Sequence, residues 1–113
     1  MKFTKYRNKK VEYEGIKFDS IKERNRYIQL KDLEKDNKIS NLKLQVKYLL
    51  IPRQTDEFGK FKYHPITYIA DFEYKNNSTG EIITEDTKGV KTPEYKLKKK
   101  LFYHIYKKDI IEI

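Results

Sequence analysis

Runs of alternating apolar and polar residues open this chain. In 10–18, Val11 and Tyr13, then Ile16 and Phe18, alternate around Glu14-Gly15, the pattern of a small β-hairpin. Asp19-Ser20 then supplies a helix N-cap, and up to about Asn37 the spacing changes. Ile21, Tyr27, Ile28, Leu30 and Leu33 recur at partly helical intervals, which predicts a first helix. Residues 39–51 alternate through Leu42, Leu44 and Val46 and become solidly apolar by Leu49-Leu50-Ile51, so a strand that starts half exposed and ends buried is expected, stopped by Pro52. The polar piece 53–60, with Asp56, Glu57 and Gly59, reads as a solvated loop.

A further strand begins near Ile66, carries Asp71 at its far end, turns through 75–80 and returns as a strand ending in Asp86 and Lys88. Gly89 closes it. Thr92-Pro93 reads as an N-cap followed by proline at the first helical position, opening a helix to about Lys108 with Leu97, Leu101 and Ile105 on one stripe. Ile110-Ile111-Glu112-Ile113 forms a short last strand, which a right-handed crossover lays parallel to the one carrying Lys88. The order hairpin, helix, three-stranded meander, helix, strand predicts an α/β fold: a mixed central β-sheet flanked by two helices, with an N-terminal β-hairpin.

At 113 residues, a single domain over 1–113 is expected. Charged residues make up 38% and hydrophobic ones 37%, a balance that alone suggests partial disorder, but ten Tyr and six Phe supply the burial that a disordered tail lacks. Without cysteine, neither a disulfide framework nor a thiolate zinc site is possible. No signal peptide and no apolar run long enough to cross a bilayer is visible, so the cytoplasm is the expected compartment and a membrane is not an expected partner.

Charge changes the picture more. With 26 Lys and Arg against 17 Asp and Glu the formal net charge is +9. That excess points to a polyanionic partner, most simply nucleic acid, although ribosomal, membrane-surface and heparin-like partners fit the same number. Residues 1–10 form a basic, aromatic segment that includes Lys9 and Lys10, either an arm lying on phosphates or a frayed terminus. Between Lys88 and Lys108 there are eight Lys and one Glu. Lys91, Lys96, Lys98, Lys99 and Lys100 are therefore expected to face a phosphate backbone.

The chain offers no glycine-rich phosphate loop and no helical His-Glu-x-x-His. His64 beside Pro65 and His104 on the basic helix have no neighbouring catalytic partner, and Ser20, Ser40 and Ser78 sit in cap or turn contexts without an adjacent base. What remains is carboxylate and lysine chemistry. Along the strand ending in Lys88, alternation puts Asp86 and Lys88 on one face and turns Glu85 and Thr87 away. If the preceding strand pairs with it, Asp71 lies beside them. Two carboxylates with a backbone carbonyl, that of Thr87, and waters suit the octahedral shell of Mg²⁺, while Lys88 orients or deprotonates an attacking water. An exposed salt bridge among Asp71, Asp86 and Lys88, worth under about 1 kcal/mol, fits the same spacing. Glu23 likewise has two readings. It lies three residues after Ser20, where a capping box places it, and it shares a face with Tyr27 and Leu30, from which it leans over the sheet.

Phe18-Asp19-Ser20-Ile21-Lys22-Glu23, Ala70-Asp71-Phe72 and Glu85-Asp86-Thr87-Lys88-Gly89, taken in that order across 6–113, resemble the PD-(D/E)XK nuclease superfamily. The likeness is greatest to the small phage and prophage endonucleases related to Holliday-junction resolvases and transposon end-cutting nucleases. The resemblance implies an αβββαβ restriction-endonuclease-like core and a Mg²⁺-dependent DNA endonuclease, with Mn²⁺ as an alternative ion. Glu23 would be the helix-borne acid, linked to metal through water. Asp71 and Asp86 would be the metal ligands and Lys88 the signature lysine. Ala70 stands where the motif's name has proline. Glu85 is a second acid, ranked below Asp86 because strand parity turns it from Lys88. Lysine meets phosphate as a point charge, so recognition of a branched shape is expected over a short sequence. Two symmetric nicks in a junction imply a homodimer, and the resemblance places the activity in phage recombination or DNA packaging in a bacterial host cytoplasm. The alternatives are a non-catalytic nucleic-acid-binding module of the same fold and an interaction subunit of a phage complex.

Overall fold

The computed structural model describes residues 10–88 and 90–113. Strands β1 (Val11–Tyr13) and β2 (Ile16–Phe18) pair antiparallel with Tyr13 opposite Ile16. The two turn residues, Glu14 at φ 51° and Gly15 at φ 80°, are both left-handed, as a two-residue hairpin turn requires. Helix α1 (Ile21–Lys35) starts at Ser20, whose hydroxyl accepts from the Glu23 amide at 3.1 Å, and it buries Glu23, Tyr27 and Leu30. Asn37, at φ 59°, carries the chain out of the helix into β3 (Ile39–Ile51). This strand keeps alternating to its end, with Leu50 buried and Leu49 exposed, because only one face of that half of the sheet is covered.

Residues 53–60 depart from the expected loop. Gln54–Thr55 (β4) and Phe61–Tyr63 (β5) pair as a two-stranded ribbon beyond Pro52. Strands of two and three residues, exposed on both faces, carry no alternation from which they could be read. Strands β6 (Ile66–Asn76) and β7 (Ile82–Asp86), helix α2 (Pro93–Tyr106) and strand β8 (Ile111–Glu112) complete the chain. The central sheet has the order β3-β6-β7-β8, with β8 parallel to β7 and the other pairs antiparallel. The described residues thus form a mixed α/β structure with two helices, a mixed four-stranded sheet and an N-terminal hairpin. Among the described residues no helix is long and apolar enough to cross a membrane.

The inward face of α2 differs from the expected stripe. Tyr95 and Phe102 are buried, whereas Leu97 is 58% exposed and Ile105 is also exposed. Tyr48 and Tyr68 meet Phe102 edge-on, so aromatic packing sets the rotation of the helix. Two clusters result. Tyr48, Leu50, Tyr68, Ala70 and Ile110 pack with α2, while Phe18, Ile39, Phe72 and Tyr74 pack with Tyr27 and Leu30 of α1.

These clusters reveal a break in β6. Regular alternation would send Tyr68, Ala70, Phe72 and Tyr74 to one face. Instead the first two join the α2 cluster and the last two the α1 cluster. The Tyr48 hydroxyl, on the α2 side, lies 2.6 Å from Glu73 Oε2 and 2.8 Å from Thr84 Oγ1, so Glu73 faces that side too. Alternation is therefore reset at Asp71, opposite the point in β3 where Gln45 adopts φ 52°. Asp71 is also where β7 parts from β6, since β7 pairs only with Phe72 to Lys75 of β6 and its end, Glu85 and Asp86, pairs with β8. The expected position of Asp71 at the far end of its strand is corrected: it lies mid-strand, at the branch.

Candidate active site

Three elements deliver carboxyl groups to this branch. From α1, buried Glu23 divides its oxygens between two tasks. Oε1 accepts from the Asp19 amide at 3.2 Å, a cap of the helix start, and Oε2 accepts from Gln45 Nε2 at 3.2 Å across to β3. Capping and leaning over the sheet are thus both real, one per oxygen. Gln45 Nε2 also lies 3.5 Å from Asp71 Oδ1, a long contact that spans the two acids. Asp71 Oδ2 accepts from the Thr87 amide at 2.8 Å and its hydroxyl at 2.7 Å. Asp86 is buried, with Oδ2 accepting from the Tyr68 hydroxyl and lying 2.9 Å from Lys88 Nζ.

Parity predicted Asp86 and Lys88 together, and they meet. Thr87 was expected to point away and does not. β7 ends at Asp86, so strand alternation no longer governs the next side chain, which turns in to Asp71. Glu85 does point the other way, with both oxygens held by Arg26 at 2.8 and 2.6 Å and by the Tyr74 hydroxyl. This fork ties α1 to β7 three residues from Glu23. It holds the Arg26 guanidinium firmly protonated, and burial followed by Glu85 pushes the Tyr74 phenol up to about 12.

Crowding of negative charge marks the other face. Burial first, then the Asp71 charge, raises Glu23 to about 7. Burial and then the adjacent Asp71 carboxyl raise Asp86 to about 6, against the opposing pull of Tyr68 and Lys88. Burial and Asp86 likewise hold the Tyr68 phenol above its ordinary range, leaving it a donor. Among the described residues, no three His, Asp or Glu side chains are grouped tightly enough to hold a metal ion as they stand. Lys88 lies 4.5 Å from the centre of the Tyr95 ring and lines an open cleft of about 370 Å³ between β6 and the start of α2, with Tyr68, Thr92 and Lys98.

The expected phosphate-binding lysines divide into two groups. Lys91 and Lys99 bind Glu112 of β8 at 3.1 and 3.0 Å, and Lys98 binds Glu94 at 3.0 Å. Tyr95, Lys99 and Lys91 depress the Glu112 carboxyl to about 2. Lys96 and Lys100 are exposed, with no ion pair among the described residues. Lys10 is exposed beside Asp19 at 3.3 Å, and Lys9, with the rest of the expected basic arm, lies outside the described residues. Both histidines are exposed.

Gln45 and Tyr68 are site residues that sequence reasoning passed over. Gln45 looks like an outward position of an alternating strand, and its left-handed backbone has no sequence mark. Tyr68 looks like core. Fold and site together define a mixed α/β protein that gathers three carboxyl groups and one lysine where its sheet branches. The chain belongs to the DUF1064 family, described as a protein of unknown function, which matches residues 3–111. No curated protein and no solved structure matches it.

Proposed function

We propose that this protein is a metal-dependent DNA endonuclease built on a restriction-endonuclease-like αβββαβ core. The observation that carries the reading is the convergence of Glu23, Asp71, Asp86 and Lys88, from three separate elements, at the branch of the sheet. An exposed salt bridge does not account for it, because Asp86 and Glu23 are buried, and burial first and then Asp71 raises the proton affinity of each. With the β4–β5 ribbon set aside, α1 is followed by β3, β6 and β7, then α2 and β8, an order that resembles the superfamily's.

The donor chemistry fits a hard divalent cation. Carboxylate oxygens crowded enough to hold protons near neutrality gain most from an added positive charge. Asp71 and Asp86 would hold Mg²⁺ or Mn²⁺, with the Thr87 carbonyl and, through water, Glu23. Bound there, the ion would supply charge neutralisation and an acidified water. The chain's own groups do the rest. Thr87 and Gln45 fix Asp71; Tyr68 fixes Asp86. Lys88 brings a positive charge beside Asp86, positioned to orient a water and stabilise developing charge on a phosphodiester. Glu23, whose proton affinity burial and then Asp71 raise in the metal-free protein, is placed to take up a proton there.

DNA fits the net charge of +9 and the exposed Lys96 and Lys100. Lysine meets phosphate as a point charge and reads no base edge, which favours a branched shape as substrate. Two symmetric nicks would need a homodimer, acting in phage recombination or packaging in a bacterial cytoplasm. Labelled four-way junction, linear duplex and single-stranded DNA, incubated with Mg²⁺ or EDTA, test the reading. Cutting in Mg²⁺ that Asp86→Ala loses by at least about 100-fold, with binding retained, is expected. Binding by the wild type without cutting in either Mg²⁺ or Mn²⁺ would leave a binding module instead. That second reading draws on Tyr68 and Lys88 already occupying Asp86 Oδ2.

A further inference from the structure

The β4–β5 ribbon belongs to neither core, and all five of its strand residues are exposed. Its tip is nevertheless rigidly built. Asp56 Oδ1 accepts from the amides of Phe58 and Lys60 at 2.8 and 2.9 Å, the Asp56 amide donates to the Lys60 carbonyl at 2.8 Å, and Gly59 takes φ 82°. A carboxylate closing a turn in this way fixes the backbone locally. It presents Phe58 at 80% exposure, with Tyr63 at 62% and Phe61 at 45% further back.

Cations interleave with these rings. The Arg53 guanidinium carbon lies 5.3 Å from the Phe61 ring centre and Lys60 and Lys62 are exposed beside it, while a further ring, that of His64, packs on the same Phe61 at 4.6 Å. Of the two acids in the ribbon, Asp56 is committed to the turn. Aromatic faces alternating with cations on an ordered, solvent-exposed ribbon match a strand of nucleotides, whose bases stack on rings while its phosphates meet the cations. The ribbon continues the β3–β6 hairpin, and β6 rises about 17 Å from Asp71 to Ile66 at roughly 3.3 Å per residue.

We infer that the β4–β5 ribbon is a stacking finger for unpaired nucleobases, with Phe58 as its leading ring, which engages the same DNA as the carboxylate site at least about 17 Å away along β6. That placement rests on the nuclease reading; the stacking itself does not. Binding is therefore measured in EDTA, by fluorescence anisotropy, on a fully paired duplex and on the same duplex with a short single-stranded gap. Phe58→Ala and Phe58→Leu are each expected to weaken binding to the gapped DNA about tenfold and to the paired duplex less than about twofold, while Phe58→Tyr keeps wild-type affinity. Leucine preserves apolar bulk, so retained binding by Phe58→Leu would overturn stacking. Unchanged affinity in Phe58→Ala, or equal loss on both DNAs, would also overturn it. So would a Phe58→Ala variant that loses self-association in sedimentation while binding gapped DNA normally, since the ring would then serve a second copy of the chain. A wild type that cuts DNA with Phe58→Ala binding unchanged removes only the finger; a wild type that binds the gapped DNA through Phe58 but never cuts removes only the nuclease.

Discussion

Glu85 and Asp86 are neighbours on one strand, equally buried, and they meet opposite circumstances. On the α1 side Glu85 is gripped at both oxygens by one guanidinium and a phenol. On the other side Asp86 has one oxygen shared by Tyr68 and Lys88, and a second carboxyl pressing on it. Full compensation makes a joint between helix and strand. Partial compensation leaves electrostatic demand that a ligand can meet. Burial of an acid is therefore a poor sign of function until its partners have been counted.

The sharpest way to break the comparison is Arg26→Ala. It strands Glu85, which is 1% exposed, beside an empty partner position, and loss of a buried pair's partner costs about 3–5 kcal/mol. Urea unfolding is expected to show a loss near the lower end, because Arg26 itself is 21% exposed. A loss below about 1 kcal/mol would mean that the fork is no joint. Asp86→Asn should behave oppositely. It removes a charge that the fold disfavours, so stability at pH 7.5 is expected to hold or rise by on the order of 1 kcal/mol. A loss as large as that of Arg26→Ala would erase the distinction between the two faces.

The smallest effect is the most diagnostic of crowding. Glu23 and Asp86 rise from ordinary values of 4.5 and 3.8 to about 7 and about 6. Between those limits the folded chain binds more protons than the unfolded one, so these two groups make metal-free stability fall as pH rises from about 4 to 7. Glu112 works in a separate window: depressed to about 2, it stabilises the fold above 4.5 and that contribution is lost as pH falls toward 2. Urea midpoints are thus expected to be higher at pH 5 than at pH 7.5, with a smaller difference in Glu23→Gln. Equal wild-type midpoints would argue against the crowding.

Much of the frame is written locally. Ser20 and Thr92 cap the helices, Pro52 stops β3, and β7 alternates strictly enough to set Asp86 against Glu85. Each of these depends on residues within a few positions of one another, where spacing decides geometry. Contacts across the fold had no such mark. Glu112, outside the lysine-rich window of the sequence, neutralises Lys91 and Lys99 because β8 lies parallel to β7 beneath α2. Leu97 faces out because Tyr95 and Phe102 have rings to pack against on β3 and β6.

The sequence by itself determined the order and type of the main elements and the opposite facing of Glu85 and Asp86, since both follow from periodicity and caps, while Lys88 reaches Asp86 from beyond the strand end. Only the tertiary structure decided that β6 resets its alternation at Asp71, that Gln45 joins Glu23 to that residue, and that the stretch 53–60 belongs to an exposed aromatic ribbon. Those outcomes depend on which distant side chains come within reach, and neither spacing nor composition along the chain encodes that.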